Sequence, residues 1–194
     1  MNSGIKIGFA LCGSFCTFEK AIIQMENLVN QGAEVYPIMS ETAFSTESRF
    51  GSSVSIRNRI ESICGRDIIH TQSEVEPIGP QKLLDILLIE PCTGNTAAKL
   101  ANGIVDTTVT LAAKAHLRNE RPLVIAMATN DGLSSAAANI GKLLNNRNVF
   151  FVPMGQDNSK QKPRSLIADF GKTQLALEAA LLRKQLQPIY SYVG

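Results

Sequence analysis

The stretch from Asp85 to Gly103, DILLIEPCTGNTAAKLANG, constrains the fold more than any other part of the chain. Ile86 to Ile89 is an uninterrupted apolar run that reads as a strand buried on both faces. Pro91 is expected to end it, because proline removes a ladder donor. A small polar turn follows, Cys92 to Asn95, and Thr96 to Ala101 then reads as a helix stopped by Asn102-Gly103. A buried strand handing over to a helix through small polar residues makes a ligand platform. The helix N-terminus offers unpaired N–H groups and partial positive charge, both of which favour an anion.

The same β-turn-α unit recurs along the chain. Ile5 to Leu11 is a first buried strand, followed by the turn Cys12 to Thr17 and by helical spacing through Ala21, Ile22, Met25, Leu28 and Val29. Gly13 frees the backbone of that turn and the Ser14 hydroxyl is placed to bond a phosphate oxygen. Val35 to Met39 reads as a second strand ending at Ser40, Ser53 to Cys64 as a helix, Asp67 to Thr71 as a short strand, and Glu74 to Pro80 as a loop. Asp106 to Asn119 reads as a helix, Leu123 to Ala128 as a strand, and Met127 to Gly132 as a third polar turn at the end of that strand. Beyond it lie a helix over Ser134 to Leu144, a strand over Val149 to Val152, and a polar loop over Gly155 to Arg164. Ile167 to Leu186 reads as one long helix, followed by the tail 188–194. Strands alternating with crossover helices predict one α/β domain over residues 1–194, a three-layer α/β/α sandwich around a mostly parallel sheet. Ligands in such folds bind beyond the carboxyl ends of the strands, where Gly13-Ser14, Ser40, Pro91 to Thr96 and Asn130 would gather.

Composition excludes several functions. A formal net charge of +2 gives no electrostatic case for nucleic acid, and no run reaches the length of a membrane span or the pattern of a signal peptide. The four cysteines show no Cys-x-x-Cys spacing and no suitably placed histidine, so neither a metal site nor a disulfide framework is expected. There is neither a Gly-x-Gly-x-x-Gly pattern nor a Gly-Lys-Ser/Thr nucleotide loop, and no catalytic acid–base pair stands out. Cys92 reads as buried filler, and His70 and His116 as structural histidines.

Gly13-Ser14, Ser40 with Ala43, the segment Pro91 to Gly103 and the Asn130 turn together resemble the homo-oligomeric flavin-containing cysteine decarboxylase superfamily, whose central motif is Pro-Ala-Ser-Ala-Asn-Thr. Pro91, Asn95 and Thr96 match that motif, Thr93 replaces its serine, and Cys92 and Gly94 replace its alanines. The resemblance implies a Rossmann-like sandwich with an FMN-type site, assembled as trimers or multiples of them. Gly13, Ser14 and Ser40 would hold the phosphate, while Thr93, Asn95 and Thr96 would line the ring and substrate side. Two departures argue against decarboxylation. Pro77 stands where the decarboxylases carry a histidine, and no cysteine follows Cys92 to serve on a late lid. The segments FALCGSFCTF, EPCTGNT and FVPMGQDN look instead like a branch working as one of two subunits in oxidising a dihydropyridine dicarboxylate, in the mother-cell cytoplasm of sporulating bacteria. That likeness implies a partner subunit carrying NAD(P), FMN on this chain, and a small dicarboxylate substrate contacted by Asn95, Asn130 and Arg164, the last within a basic loop of Lys160, Lys162 and Arg164 able to clamp a dianion. An FMN-dependent decarboxylase-like enzyme and a non-catalytic assembly subunit with a vestigial flavin pocket stay open as alternatives.

Overall fold

A computed structural model describes residues 3–49 and 51–190, so the last four residues of the expected tail lie outside it. In chain order the elements are β1 (Lys6–Leu11), α1 (Phe18–Asn30), β2 (Glu34–Met39), α2 (Glu41–Ser45), α3 (Ser53–Cys64) and α4 (Gln72–Val75). Then follow β3 (Ile86–Cys92), α5 (Gly94–Ala101), α6 (Thr108–Leu117), β4 (Leu123–Thr129), α7 (Ala137–Leu144) and β5 (Val149–Phe151). The last are β6 (Met154–Gly155), β7 (Leu166–Ala168) and α8 (Thr173–Leu181). The strands form one sheet in the order β2-β1-β3-β4-β7-β6, with β5 also paired to β4. The pairings of β1 with β2, β1 with β3, β3 with β4 and β4 with β5 are parallel. This is the mostly parallel, Rossmann-like arrangement expected from the alternating pattern.

Strand alternation sorts the core into two layers. Phe9, Leu11, Leu88 and Val124 pack on one face against Phe18, Ile22 and Met25 of α1 and Leu177 of α8. Ala10, Leu87, Ile89 and Ile125 pack on the other face against Ala97 of α5, Val109 and Ala112 of α6, and Ile140 of α7. All seven residues of β3 are buried, Pro91 among them. The strand runs past that proline to Cys92, with an irregular register between Ile89 and Cys92 that accommodates the missing donor.

Several expectations are corrected. The segment Ile167 to Leu186 is not one helix. Ile167 pairs with Ala128 in β7, a 3₁₀ turn spans Phe170–Lys172, and α8 occupies only Thr173–Leu181. Asp169 starts the turn by accepting the Gly171 N–H at 3.2 Å, a local bond that competes with continuous helix. The expected strand over Asp67 to Thr71 is reduced to a single bridge between Ile38 and Ile69. The expected loop over Glu74 to Pro80 instead begins inside α4, which Thr71 and Glu74 start with a reciprocal capping box, and continues as a 3₁₀ turn over Glu76–Ile78. The helix α7 starts at Ala137, later than Ser134, because Asp131 first draws Ser134 and Ser135 into a turn.

The edge of β4 is divided between two neighbours. Its first half, Leu123 to Ile125, pairs with β5, and its last residues, Ala128 and Thr129, pair antiparallel with β7. The β5 pairing with β4 ends at Phe151, and β7 enters between β4 and β6. An antiparallel ribbon is thereby set at the carboxyl edge of a parallel sheet.

One carboxyl group lies wholly inside. Glu90 on β3 is 0% exposed, and its Oε2 accepts a 2.6 Å bond from the Thr173 hydroxyl at the start of α8. Its Oε1 has no hydrogen-bond partner among the described residues. Burial pushes the Glu90 carboxyl up to about 8, so the folded protein keeps it neutral at pH 7. His116, also buried, lies 3.0 Å from the Pro122 carbonyl oxygen, and burial pushes it down to about 4.

The two groups act on stability with opposite sign. Raising a carboxyl in the fold costs nothing below its unfolded value of 4.5, and stability is lost as pH rises toward about 8. Lowering a histidine leaves stability intact above its unfolded value of 6.5, and stability is lost as pH falls toward about 4. Between 6.5 and about 8 only the glutamate acts. Denaturation of Glu90→Gln followed across that window should therefore show a flatter profile than the wild type, which loses at most about 1.4 kcal/mol per pH unit from this group. Parallel profiles would refute a neutral buried Glu90. Thr173→Val, which strips the carboxyl of its hydroxyl partner, should cost about 1–3 kcal/mol in the same measurement.

Candidate functional site

The carboxyl ends of β1, β3 and β4 open into a cleft of about 250 Å³, closed on its far side by the ribbon of β6 and β7 and the loop between them. Gly13, Ser14, Cys16 and Thr17 form one wall, Thr93 and Gly94 the floor, and Ala128, Thr129 and Asn130 the next wall. Asp157, Lys162, Ser165, Leu166 and Ile167 complete the boundary.

The first wall is set by a 3₁₀ turn, Phe15–Thr17, which leads into α1. The Thr17 hydroxyl lies 2.8 Å from the Ser14 carbonyl oxygen and 3.2 Å from the Ser14 hydroxyl oxygen. Ser14 Oγ accepts from Thr17 and makes no side-chain cap bond, so its own hydroxyl is placed to donate to an acceptor arriving in the cleft. The floor is the N-terminus of α5. Thr93 is its N-cap and accepts the Thr96 N–H at 3.2 Å. The Thr93 hydroxyl donates to Thr96 Oγ1, which donates onward to Cys12 Sγ, both at 3.2 Å. This relay ties the β3 turn to the end of β1. Cys12 and Cys92 are buried thiols; burial pushes Cys12 up to about 11 and raises Cys92 well above the ordinary range. Neither is a ready thiolate.

The third wall interlocks with the floor. The Asp131 carboxylate accepts bonds from the hydroxyls of Ser135 and Thr129, which hold it below the usual carboxylate range. A Cβ on Gly94 would lie 2.7 Å from Thr129 Oγ1 and 2.8 Å from Asp131 Oδ1. Position 94 is therefore glycine because the Thr129–Asp131 pair fills the space a methyl group would need. With its proton given to Asp131, the Thr129 oxygen presents only lone pairs to the cleft. Asn130 lines the cleft beside it.

The structure brings Gly13, Ser14, Thr93 and Asn130 into one cleft. Ser40, Asn95, Thr96 and Arg164 are not among the residues lining it. Ser40 is buried and caps α2 by accepting the Ala43 N–H at 3.2 Å. Asn95 is exposed on the first turn of α5, and Thr96 is turned inward toward Cys12. Arg164 is exposed, and its carbonyl oxygen accepts the Leu133 N–H. Lys162 was expected with Lys160 and Arg164 as a basic loop above the site, and of the three it alone lines the cleft, whereas Thr129, Asp157 and Ser165 were not singled out as individual site residues from the sequence. Thr129 lies in the polar turn already noted there, but the others reach the cleft only through the pairing of β7 with β4.

The donor set suits an oxyanion at Gly13-Ser14 and the polar edge of a flat ring along Thr93, Thr129 and Asn130. The lining of the cleft offers the hydroxyl and backbone groups that a phosphate and the polar edge of a flavin ring would need. Among the described residues, no group of three or more His, Cys, Asp or Glu side chains is arranged to hold a metal ion, and no helix is long and apolar enough to cross a membrane.

Comparison with known proteins places this geometry in a family. The family model described as Flavoprotein matches residues 1–183. The B subunit of dipicolinate synthase from Bacillus subtilis (strain 168) is 43% identical over 186 residues, covering 96% of this chain and 93% of that protein. The crystal structure of the dipicolinate synthase B subunit from Bacillus halodurans C superposes with a TM-score of 0.91 at 40% identity, over 100% of both chains. The FMN-dependent cysteine decarboxylase SpaF, at 22% identity and a TM-score of 0.67 over 92% of this chain and 96% of its own, shares the fold. The chain belongs to the Flavoprotein family.

Proposed function

We propose that this chain is the B subunit of a dipicolinate synthase, acting with that enzyme's separate partner subunit to oxidise dihydrodipicolinate to dipicolinate during sporulation. The observation that carries the reading is the 43% identity to the Bacillus subtilis protein over 96% of the chain. In this reading FMN is held by this chain, NAD(P) by the partner subunit, and the pair works in the mother-cell cytoplasm. The oligomeric character of related structures, one described as dodecameric and one as a cubic cage, supports self-assembly into a trimer or a multiple of it.

The reaction removes two electrons and two protons from a ring that becomes aromatic, so its demands are an electron acceptor, a base, and an oriented ring. A bound FMN supplies the two-electron acceptor. The Ser14 hydroxyl, whose oxygen accepts from Thr17, would donate its proton to the phosphate, held also by the Gly13 backbone beside the α1 entry. Thr129, whose proton is committed to Asp131, would accept from an N–H or O–H of the ligand and fix which ring edge faces it. Asn130 offers both a donor and an acceptor to the same edge.

One observation favours a second reading, a non-catalytic assembly subunit that keeps the pocket. The only carboxylate lining the cleft among the described residues, Asp157, is already bonded to Lys162 and Ser165, and Pro77 lies away from the cleft in the 3₁₀ turn Glu76–Ile78. Co-purification with the partner subunit, followed by turnover with FMN and NAD(P) added or withheld, separates the two readings. Activity that requires FMN on this chain supports the first, and activity that needs the chain but no flavin supports the second.

FMN should bind the purified protein and quench in fluorescence titration. Ser14→Ala should weaken FMN about tenfold or more, the loss expected when a hydrogen bond to a charged group is removed, and should leave riboflavin unaffected. Equal affinity of the variant for FMN would remove Ser14 from the phosphate site. Gly94→Ala forces its methyl onto Thr129 and Asp131. It should cost about 1–3 kcal/mol in thermal denaturation and weaken FMN and riboflavin alike.

A further inference from the structure

Two charged side chains line the cleft among the described residues, Lys162 and Asp157, and they face each other with Lys162 Nζ 2.9 Å from Asp157 Oδ2. We propose that Lys162 is an exchangeable anion-binding arm, handed from Asp157 to an oxyanion of the incoming ligand, either the flavin phosphate or a substrate carboxylate. This rests on the functional reading above and assigns the cation of that site.

The geometry gives the pair this use. Both side chains are substantially exposed, 54% for Lys162 and 31% for Asp157, and exposed ion pairs are weakly held. The loop that carries them is fixed independently of the pair. The Lys162 N–H donates to the Asn158 carbonyl at 2.7 Å, the Gln161 N–H to Asn158 Oδ1 at 2.9 Å, and the Gln156 side chain to the Pro163 carbonyl at 2.9 Å. Asp157 is anchored separately by the hydroxyl of Ser165, which is buried beneath the loop. The ammonium can therefore swing on its four-carbon stem while the backbone and Asp157 stay in place. The opposite wall, Ser14 and Thr17, supplies hydroxyls but no charge. An oxyanion entering there meets Lys162 as the single cation of the lining among the described residues.

Asp157 then acts as a competitor. It holds the ammonium until a ligand of sufficient negative charge displaces it, so a dianion is favoured over a neutral analogue. Replacing Asp157 by asparagine keeps a Ser165 acceptor and removes the competing charge, which predicts an effect opposite in sign to loss of the lysine.

The test uses the full chain and three probes: FMN and riboflavin followed by flavin fluorescence, and dipicolinate followed by calorimetry. Lys162→Met should weaken FMN or dipicolinate by about tenfold and leave riboflavin unchanged, and the responding probe identifies which oxyanion the lysine takes. Asp157→Asn should tighten the same probe by a few-fold, and Lys160→Met, on the same loop but outside the lining, should change neither. Wild-type binding of both anions that Lys162→Met leaves intact overturns the inference alone. Weakening by Asp157→Asn equal to that by Lys162→Met also overturns it, because the pair would then be structural. A wild-type chain that binds neither FMN nor dipicolinate overturns the functional reading and this inference together.

Discussion

The structure depends on the complete burial of β3. Its seven residues, 86–92, carry backbone polar groups that no water reaches, so those groups must be met by neighbours on both edges. Parallel pairing with β1 and β4 meets that demand, and parallel pairing in turn requires crossover helices on both faces. The two core layers and the gathering of strand ends at one edge follow from that requirement. The cleft lies there because three buried strands end side by side and their backbones pass into turns of Gly13, Gly94 and Asn130.

A buried strand that carries a glutamate is an exception to this apolar logic. Glu90 is kept neutral, with one oxygen satisfied by Thr173, and it links the end of β3 to the start of α8. The arrangement places an ionisable group directly beneath the motif turn. The stability of the platform is thereby linked to solution pH, although no charge is expressed at neutrality.

Much of the scaffold was legible in the sequence because its signals are local. The helix over Ser53 to Cys64 was read with its observed bounds, for it has a serine cap before it and a glycine at φ 61° after it. The polar loop over Gly155 to Arg164 was legible, but the segment from Ile167 was misread because its structure is set by distant partners. Ile167 and Leu166 form a strand only since β4 offers an open edge at Ala128 and Thr129, and nothing in their local sequence marks Thr173 as the start of the helix. The cleft divided along the same line. Gly13, Ser14, Thr93 and Asn130 sit in turns that directly follow strands and could be named in advance. Lys162 and Asp157 enter through the antiparallel ribbon, and Thr96 faces inward through a bond to Cys12 that no spacing announces.

The divided edge of β4 separates what holds the fold from what shapes the ligand. Its first half belongs to β5 and the core, and its last two residues carry β7 and, through it, the outer wall of the cleft. The ten residues of segment 156–165 hang from that short ribbon and bond chiefly among themselves. Such a wall is a detachable module: lineages sharing this sheet could exchange it for another of different length and charge, and so acquire new ligands, without reopening the hydrophobic core.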